Sequence, residues 1–110
     1  MKPAKMYVPK DVQDLLEFAV SMLSRAPKFL DRTGYFPHRN LDYVFRQLNE
    51  GLNVNRPTLG EERYHQLVTM SDQMRALFEA DPDDKTGDTL KGCKIIHEME
   101  DILRNCLRKS

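Results

Sequence analysis

The chain has 110 residues, enough for one domain with a single core but too few for two. Lysine plus arginine and aspartate plus glutamate each total 17, so the formal net charge is +0. Because no long-range field of either sign results, nucleic acid and anionic membranes are not expected partners.

The sequence predicts neither an export signal nor a membrane span. The basic N-terminus, MKPAKMYVPKD, is not followed by the apolar stretch of a secretory signal. No apolar run approaches the roughly 18 residues that a membrane-spanning helix requires. We therefore expect a cytoplasmic protein.

A first helix is predicted from Pro9 to about Ala26, because apolar side chains recur there at the three-and-four spacing of one helical face. Pro9 suits the first turn, and Pro27 ends the helix because proline cannot continue the hydrogen-bond ladder. The apolar face consists of Val12, Leu15, Leu16, Ala19, Met22 and Leu23.

A second helix is predicted after Asn40, a favoured N-cap residue, and should end at Gly51 and the polar segment NVNRP. Its apolar stripe is Leu41, Val44, Phe45, Leu48 and Leu52. A third helix is predicted to begin at Thr58, which has capping-box spacing to Glu61, and to end near Ala80. Its apolar face is Tyr64, Leu67, Val68, Ser71, Met74, Leu77 and Phe78.

A fourth helix is predicted from about Asp88 to Leu107, with Glu100 and Arg104 four residues apart on its charged side. Its apolar face is Ile95, Ile96, Met99, Ile102, Leu103 and Cys106. No segment alternates apolar and polar residues as a half-buried strand would. The expected fold is all-α, one domain at residues 1–110 that forms a compact antiparallel bundle of about four helices.

The connection at residues 28–39, KFLDRTGYFPHR, carries an unusual number of apolar side chains for a loop. Its aromatic and apolar residues are Phe29, Leu30, Tyr35 and Phe36, and its arginines are Arg32 and Arg39. Two interpretations remain open. The rings close one end of the bundle, or they form an aromatic and arginine anchor for a protein partner.

The acidic stretch FEADPDDKTGDTLKG, at residues 78–92, invites comparison with ion-binding and phosphate-binding loops. If Gly87 takes the sixth position of an EF-hand loop, Pro82 and Cys93 fall where ligands are required. The glycine spacing of a P-loop is absent. We interpret the stretch as a turn in which Asp81 ends the third helix and Thr86 or Asp88 caps the fourth.

The spacing of the residues gives little support for a metal site or a catalytic site. Glu62 and His65 have the spacing of helix-bundle di-iron ligands, but Lys94 stands where a second copy would need a carboxylate before His97. Cys93 with His97 is the best available nucleophile and base. We predict no enzymatic activity, no cofactor and no metal.

The two cysteines, Cys93 and Cys106, are predicted to lie on one helix. At about 1.5 Å per residue they are about 20 Å apart, which is too far for a disulfide. We expect both to be free thiols in a reducing compartment.

Three segments in order, NLDYVFRQL, TLGEERYHQLVTM and LFEADPDDKTGDTLK, resemble a family. The chain is similar, over about Val12 to Asp101, to the small all-helical immunity proteins that neutralise NAD(P)-degrading effector toxins of bacterial type VI secretion. The resemblance implies a stoichiometric inhibitor that binds a toxin domain in the cytoplasm and blocks its NAD(P) pocket. It implies no turnover and no cofactor.

Residue type suggests which side chains would contact such a partner. The candidates are Arg32, Tyr35, Phe36 and Arg39 in the first loop and Asn53, Asn55 and Arg56 in the second. The alternative for Asn53 and Asn55 is that they adopt turn conformations and face solvent. Two other classes remain open: a homo-oligomeric adaptor, such as a homodimer, whose apolar loop self-associates, and a small metal protein or enzyme.

Overall fold

The computed structural model describes residues 7–26 and 41–109. In this part of the chain the secondary structure is helical without strands, which confirms the predicted all-α class. The helices are α1 (Val12–Leu23), α2 (Leu41–Val54), α3 (Arg56–Leu59), α4 (Glu61–Ala80) and α5 (Asp88–Lys109). Four are long, as predicted, and α3 is a single turn between α2 and α4. No helix among the described residues is long and apolar enough to cross a membrane.

The two longest helices, α4 and α5, pack antiparallel. Gly92 near the start of α5 lies against Phe78 near the end of α4, and a Cβ atom on Gly92 would stand 2.6 Å from the Phe78 ring. The absence of a side chain at Gly92 therefore lets the two helices approach closely. At the other end of the pair, the last turns of α5 lie beside the start of α4. Helix α5 also packs against α1, and α2 packs against α4.

The core is built from the predicted apolar faces. Fully enclosed side chains from every long helix include Leu15, Met22, Phe45, Leu48, Leu67, Met74, Phe78, Ile96, Met99 and Leu103. Phe18 and Met70 are buried as well, although the predicted stripes omitted them. A helix surrounded by several neighbours buries a wider arc than the narrow stripe that periodicity identifies.

The prediction that Gly51 ends the second helix was wrong, although the helix does end inside the predicted segment NVNRP. Helix α2 continues through Gly51 to Val54. Gly51 lies where Pro9 and Leu15 press on the helix, since an added Cβ would be 3.0 Å from a side-chain carbon of each. The glycine therefore serves close packing here and does not mark a helix end.

The capping box at Thr58 and Glu61 was also wrong. Thr58 lies inside α3, and α4 begins at Glu61 after Gly60, whose φ of 85° is accessible mainly to glycine. No side chain caps α4. Instead of reaching back to Thr58, the Glu61 carboxylate pairs with Arg56.

The start of the first helix lies later than predicted. Asp11 is the N-cap of α1, and its carboxylate accepts a 2.8 Å hydrogen bond from the Asp14 backbone N–H. Pro9 precedes the helix and does not occupy its first turn. Pro27 and Asn40, the predicted end of the first helix and N-cap of the second, lie outside the described residues.

Candidate functional site

The predicted partner-binding residues divide into three groups. Arg32, Tyr35, Phe36 and Arg39 lie outside the described residues. Asn53 is exposed near the end of α2, and Arg56 is half-buried at the start of α3. Asn55 forms the third group, because its side chain lies in the interior.

The prediction that Asn55 contacts a partner is corrected by its burial. Its side chain is 3% exposed, and Nδ2 donates to the carbonyl oxygens of Gly51 at 2.8 Å and Pro9 at 3.2 Å. The amide thus links the chain before α1 to the end of α2. Neither a partner nor solvent reaches it in this conformation.

Arg56 is held in one orientation by two neighbours on α4. Its Nε and Nη2 atoms donate to the two carboxylate oxygens of Glu61, each at 2.7 Å. The guanidinium carbon lies 4.4 Å from the centre of the Tyr64 ring. The hydrogen bond to Arg56 lowers the pKa of Glu61 and raises that of Arg56. A bidentate pair of this kind presents its charges in a fixed geometry.

A groove opens directly beside this pair. It has a volume of about 520 Å³, within the range of about 300–1,000 Å³ that is usual for ligand sites. One wall is the start of α4 and the other is the C-terminal half of α5. The lining residues are Leu59, Gly60, Glu61, Glu62, Arg63, Gln66, Ile102 and Asn105.

Some polar groups of the groove are already engaged and others are not. Arg63 donates from Nη1 to the Leu59 carbonyl oxygen at 3.2 Å, and Glu61 is paired with Arg56. In the part of the chain that the structure describes, the exposed side chains of Glu62, Gln66 and Asn105 make no hydrogen bond or ion pair. They are therefore available to an occupant of the groove.

Glu100 was predicted to lie on the exposed face of the fourth helix, but it is 4% exposed. Its Oε2 atom lies 2.9 Å from His97 Nδ1, and its Oε1 atom lies 3.5 Å from Arg104 Nη2. Oε2 accepts no well-aligned hydrogen bond, although His97 Nδ1 lies close to it. Arg104 also contacts Asp101, with 3.6 Å between Nη1 and Oδ1.

Neither cysteine lines the groove, whereas Glu62, one of the two candidate metal ligands, does. Cys106 is buried, Cys93 is half-buried, and both are free. Burial, followed by the nearby Asp84 carboxylate, raises the pKa of the Cys93 thiol, which makes the nucleophilic thiolate scarcer. His65 faces Glu61 at 3.4 Å. Among the described residues, no three histidine, cysteine, aspartate or glutamate side chains gather as metal ligands would.

The acidic stretch between α4 and α5 is a turn that caps α5, as predicted, but the main acceptor is Asp81. Its Oδ1 atom accepts from the backbone N–H groups of Lys85 at 2.7 Å and Thr86 at 3.1 Å. Its Oδ2 atom accepts from the Thr89 N–H at 3.1 Å. Thr86 makes a longer contact of 3.3 Å with the Asp88 N–H. Because its oxygens are occupied by the chain itself, Asp81 offers little to an ion.

Comparisons with protein-family models, curated proteins and solved structures find no match to this chain. The candidate site is therefore defined by geometry alone. It consists of the Arg56 and Glu61 pair and the adjoining groove between α4 and α5, which we call the α4–α5 groove.

Proposed function

We propose that this chain is a non-catalytic inhibitor that binds a secreted bacterial toxin in the cytoplasm and covers its active site. The resemblance to type VI immunity proteins motivates the toxin, with an NAD(P)-degrading enzyme as the expected class. The observation that supports a binding role most directly is the α4–α5 groove, where Glu62, Gln66 and Asn105 lack partners within the described chain.

The groove has the rigidity that an inhibitory surface needs. Its walls belong to helices of 20 and 22 residues that pack closely against each other. Association costs less conformational entropy when the contacting side chains are already fixed, as Arg56 is by Glu61 and Tyr64. A loop of the partner that enters such a groove would supply the central contacts of the interface.

The groove supplies only part of the surface that a stable protein–protein complex buries. Stable complexes bury about 1,600 Å² in total, so the interface would extend over neighbouring helices. Half-buried Arg56, predicted as a contact, adjoins the groove through its pair with Glu61, and Asn53, also predicted as a contact, is exposed near the end of α2. Charges of both signs in this region favour a partner with complementary patches, even though the net charge is +0.

The test is affinity purification of the tagged chain from cells that produce it, with mass spectrometry of whatever co-elutes at equal stoichiometry. Asn105→Trp fills the groove, and Glu98→Trp adds the same bulk to an exposed position of α5 outside the groove. We expect a toxin domain to co-elute with the natural chain and with Glu98→Trp, and to be lost with Asn105→Trp. The toxin's NAD(P) hydrolysis should fall to zero at one equivalent of inhibitor.

Two results would contradict this proposal. The first is recovery of the chain alone from cells in which the toxin is present. The second is a complex in which the toxin remains fully active, since an inhibitor that covers the active site must suppress turnover.

A second candidate, a homo-oligomeric adaptor, is supported by one face of α1. Val20 is 44% exposed, and Leu16 and Leu23, one turn before and after it, are only partly buried. Residues at this spacing share a helical face, so α1 presents an apolar strip beside its core-facing side. Light scattering of the natural chain and of Val20→Lys distinguishes this candidate, because a dimer formed through α1 would become a monomer in the variant.

A further inference from the structure

We propose that α2 carries a binding site for a three-residue extended segment of a protein partner, with proline as its last residue. In this structure the site is occupied by the chain's own residues 7–9, which we call the strap. The strap is neither helix nor strand and precedes the N-cap of α1. None of its residues lines the α4–α5 groove, so this inference goes beyond the proposed function and does not depend on it.

The strap lies against a face formed by Gln47, Gly51 and Asn55, which follow one another at four-residue spacing along α2 and the residue after it. Gln47 Nε2 donates to the Tyr7 carbonyl oxygen at 3.0 Å. Asn55 Nδ2 donates to the Pro9 carbonyl oxygen at 3.2 Å. Between the two amides, a Cβ atom on Gly51 would stand 3.0 Å from Cδ of the buried proline ring. The face therefore recognises two main-chain carbonyls and one proline ring.

These contacts select a type of backbone more than a particular set of side chains. Both amides bond to carbonyl oxygens, which any extended segment presents. Val8 precedes a proline, and a residue in that position favours extended backbone. Tyr7 is 48% exposed, and its ring stacks on Phe18 with 6.2 Å between the centroids. A partner segment with an aromatic first residue and a proline third residue therefore makes the same contacts.

The strap leaves one polar atom of the site without a partner. Oε1 of Gln47 is buried and accepts no hydrogen bond, although Nε2 of the same amide is bonded to Tyr7. In an extended chain the N–H and C=O groups of one residue point to the same side, so a side-chain amide can pair with both. A buried acceptor without a donor is destabilising. A partner segment whose first residue also donates its N–H to Oε1 therefore fits the site better than the strap does.

Helix α1 does not use the strap to begin. The Asp11 side chain accepts from the Asp14 backbone N–H at 2.8 Å, and the Asp11 carbonyl oxygen accepts from the Leu15 N–H at 3.0 Å. These capping contacts all lie after the strap in the chain. The strap can therefore leave α2 while α1 stays helical, which makes room for a segment of a partner.

The inference is tested by NMR titration of the isotope-labelled full chain that carries Tyr7→Gly, Val8→Gly and Pro9→Gly, which we call the glycine variant. These changes weaken the strap, which otherwise competes with the high effective concentration of a tethered ligand. The ligand is a capped peptide with the sequence of residues 5–11, KMYVPKD. We expect it to move the backbone signal of Gly51 and the carboxamide signal of Asn55 towards their positions in the natural chain.

Two comparison peptides test the chemistry of recognition. The first has alanine in place of proline and should bind about tenfold more weakly, because it lacks the apolar ring that packs on Gly51. The second has N-methyltyrosine in place of tyrosine, so it has no N–H for Oε1 of Gln47. It should also bind about tenfold more weakly, because the buried acceptor stays unfilled.

Two further changes in the glycine variant provide the matched controls. Asn55→Ala removes one donor to the peptide and should weaken binding about tenfold, whereas Asn53→Ala, at an exposed position, should leave it unchanged. Absence of binding at millimolar peptide, or equal binding of the three peptides, would overturn the inference. Loss of helical circular dichroism that the peptide does not restore would also overturn it, since the strap would then be part of the fold.

Light scattering separates a partner from a second copy of this chain. We expect the natural chain and the glycine variant to have the same mass. A natural chain that is dimeric and a glycine variant that is monomeric would overturn the inference, because the face would then belong to the strap of a second copy.

Discussion

The Asp81 carboxylate accepts a hydrogen bond from the Thr89 backbone N–H, and the Thr89 hydroxyl donates to the Asp81 carbonyl oxygen, each at 3.1 Å. These reciprocal bonds join the end of α4 to the first turn of α5. The turn between them includes two residues with positive φ, Asp84 at 55° and Gly87 at 89°. Asp81 thus caps a helix that begins seven positions later in the chain.

This contact predicts a specific dependence of stability on pH. Burial alone would raise the pKa of Asp81, but hydrogen bonds from Thr89, Lys85 and Thr86 outweigh it and hold the pKa well below its usual value. The unfolded chain therefore binds a proton at this carboxylate at a higher pH than the folded chain does. The stabilisation is complete above the unfolded pKa of about 4 and is lost as the pH falls through the folded pKa.

Urea denaturation of the natural chain and of Asp81→Asn between neutral and strongly acidic pH measures this dependence. The free energy of unfolding of the natural chain should exceed that of Asp81→Asn at pH 7, and the difference should shrink below pH 4. Asp72→Asn, at an exposed position of α4, is the control and should follow the natural chain. If the free energies of unfolding of Asp81→Asn and the natural chain changed in parallel with pH, the pH dependence would not arise from Asp81.

The contact between Gly92 and Phe78 predicts that Gly92→Ala is destabilising, although alanine favours helices. Two atoms of the Phe78 ring would lie 2.6 and 2.7 Å from the new methyl group. Overpacking of a core typically costs about 1–3 kcal/mol, and the gain in helix propensity offsets about 1 kcal/mol of it. Thermal unfolding of Gly92→Ala, Phe78→Leu and the double variant gives the coupling free energy between the two positions. Additive effects would show that the two residues do not compete for space.

Because Glu100 is buried, replacing its side chain and removing the side chains that contact it should affect stability differently. Glu100→Met should leave stability nearly unchanged or raise it, because a buried ion pair gains little over a well-packed apolar side chain. The double variant His97→Ala, Arg104→Ala leaves the carboxylate buried without a charge partner and should cost about 1–2 kcal/mol, given that both partners are partly exposed. Chemical denaturation at pH 7 measures the free energy of unfolding of both variants. A strongly destabilising Glu100→Met would indicate that the carboxylate is itself stabilising.

Asn55 and Asn53 form a matched pair, because Asn55 is buried and hydrogen-bonded whereas Asn53 is exposed. Asn55→Ala removes two hydrogen bonds to buried carbonyl groups and should lower the free energy of unfolding by about 1–2 kcal/mol. Asn53→Ala alters an exposed side chain and should change the free energy of unfolding by less than about 0.5 kcal/mol. Urea denaturation of the two variants gives the comparison. Similar values would mean that the amide of Asn55 does not hold the segment before α1 in place.

The sequence by itself determined the helical class and most of the core. Buried Leu15, Leu48 and Ile96 recur at three-and-four spacing with their neighbours, because a helix can bury only a stripe of its surface. The turn at residues 81–87 was also predictable, since aspartate, proline and glycine restrict the backbone locally. These features depend on residues near each other in the chain.

Tertiary structure alone decided the features that depend on distant residues. Glu100 and Asn55 are polar and were therefore predicted to be exposed, yet neighbouring helices enclose them. Gly51 was read as a helix end, because nothing nearby in sequence indicates that Pro9 and Leu15 pack there. The α4–α5 groove combines residues 59–66 with residues 102–105, which meet only because the two helices run antiparallel. Burial and concavity are properties of packed elements, so local sequence does not specify them.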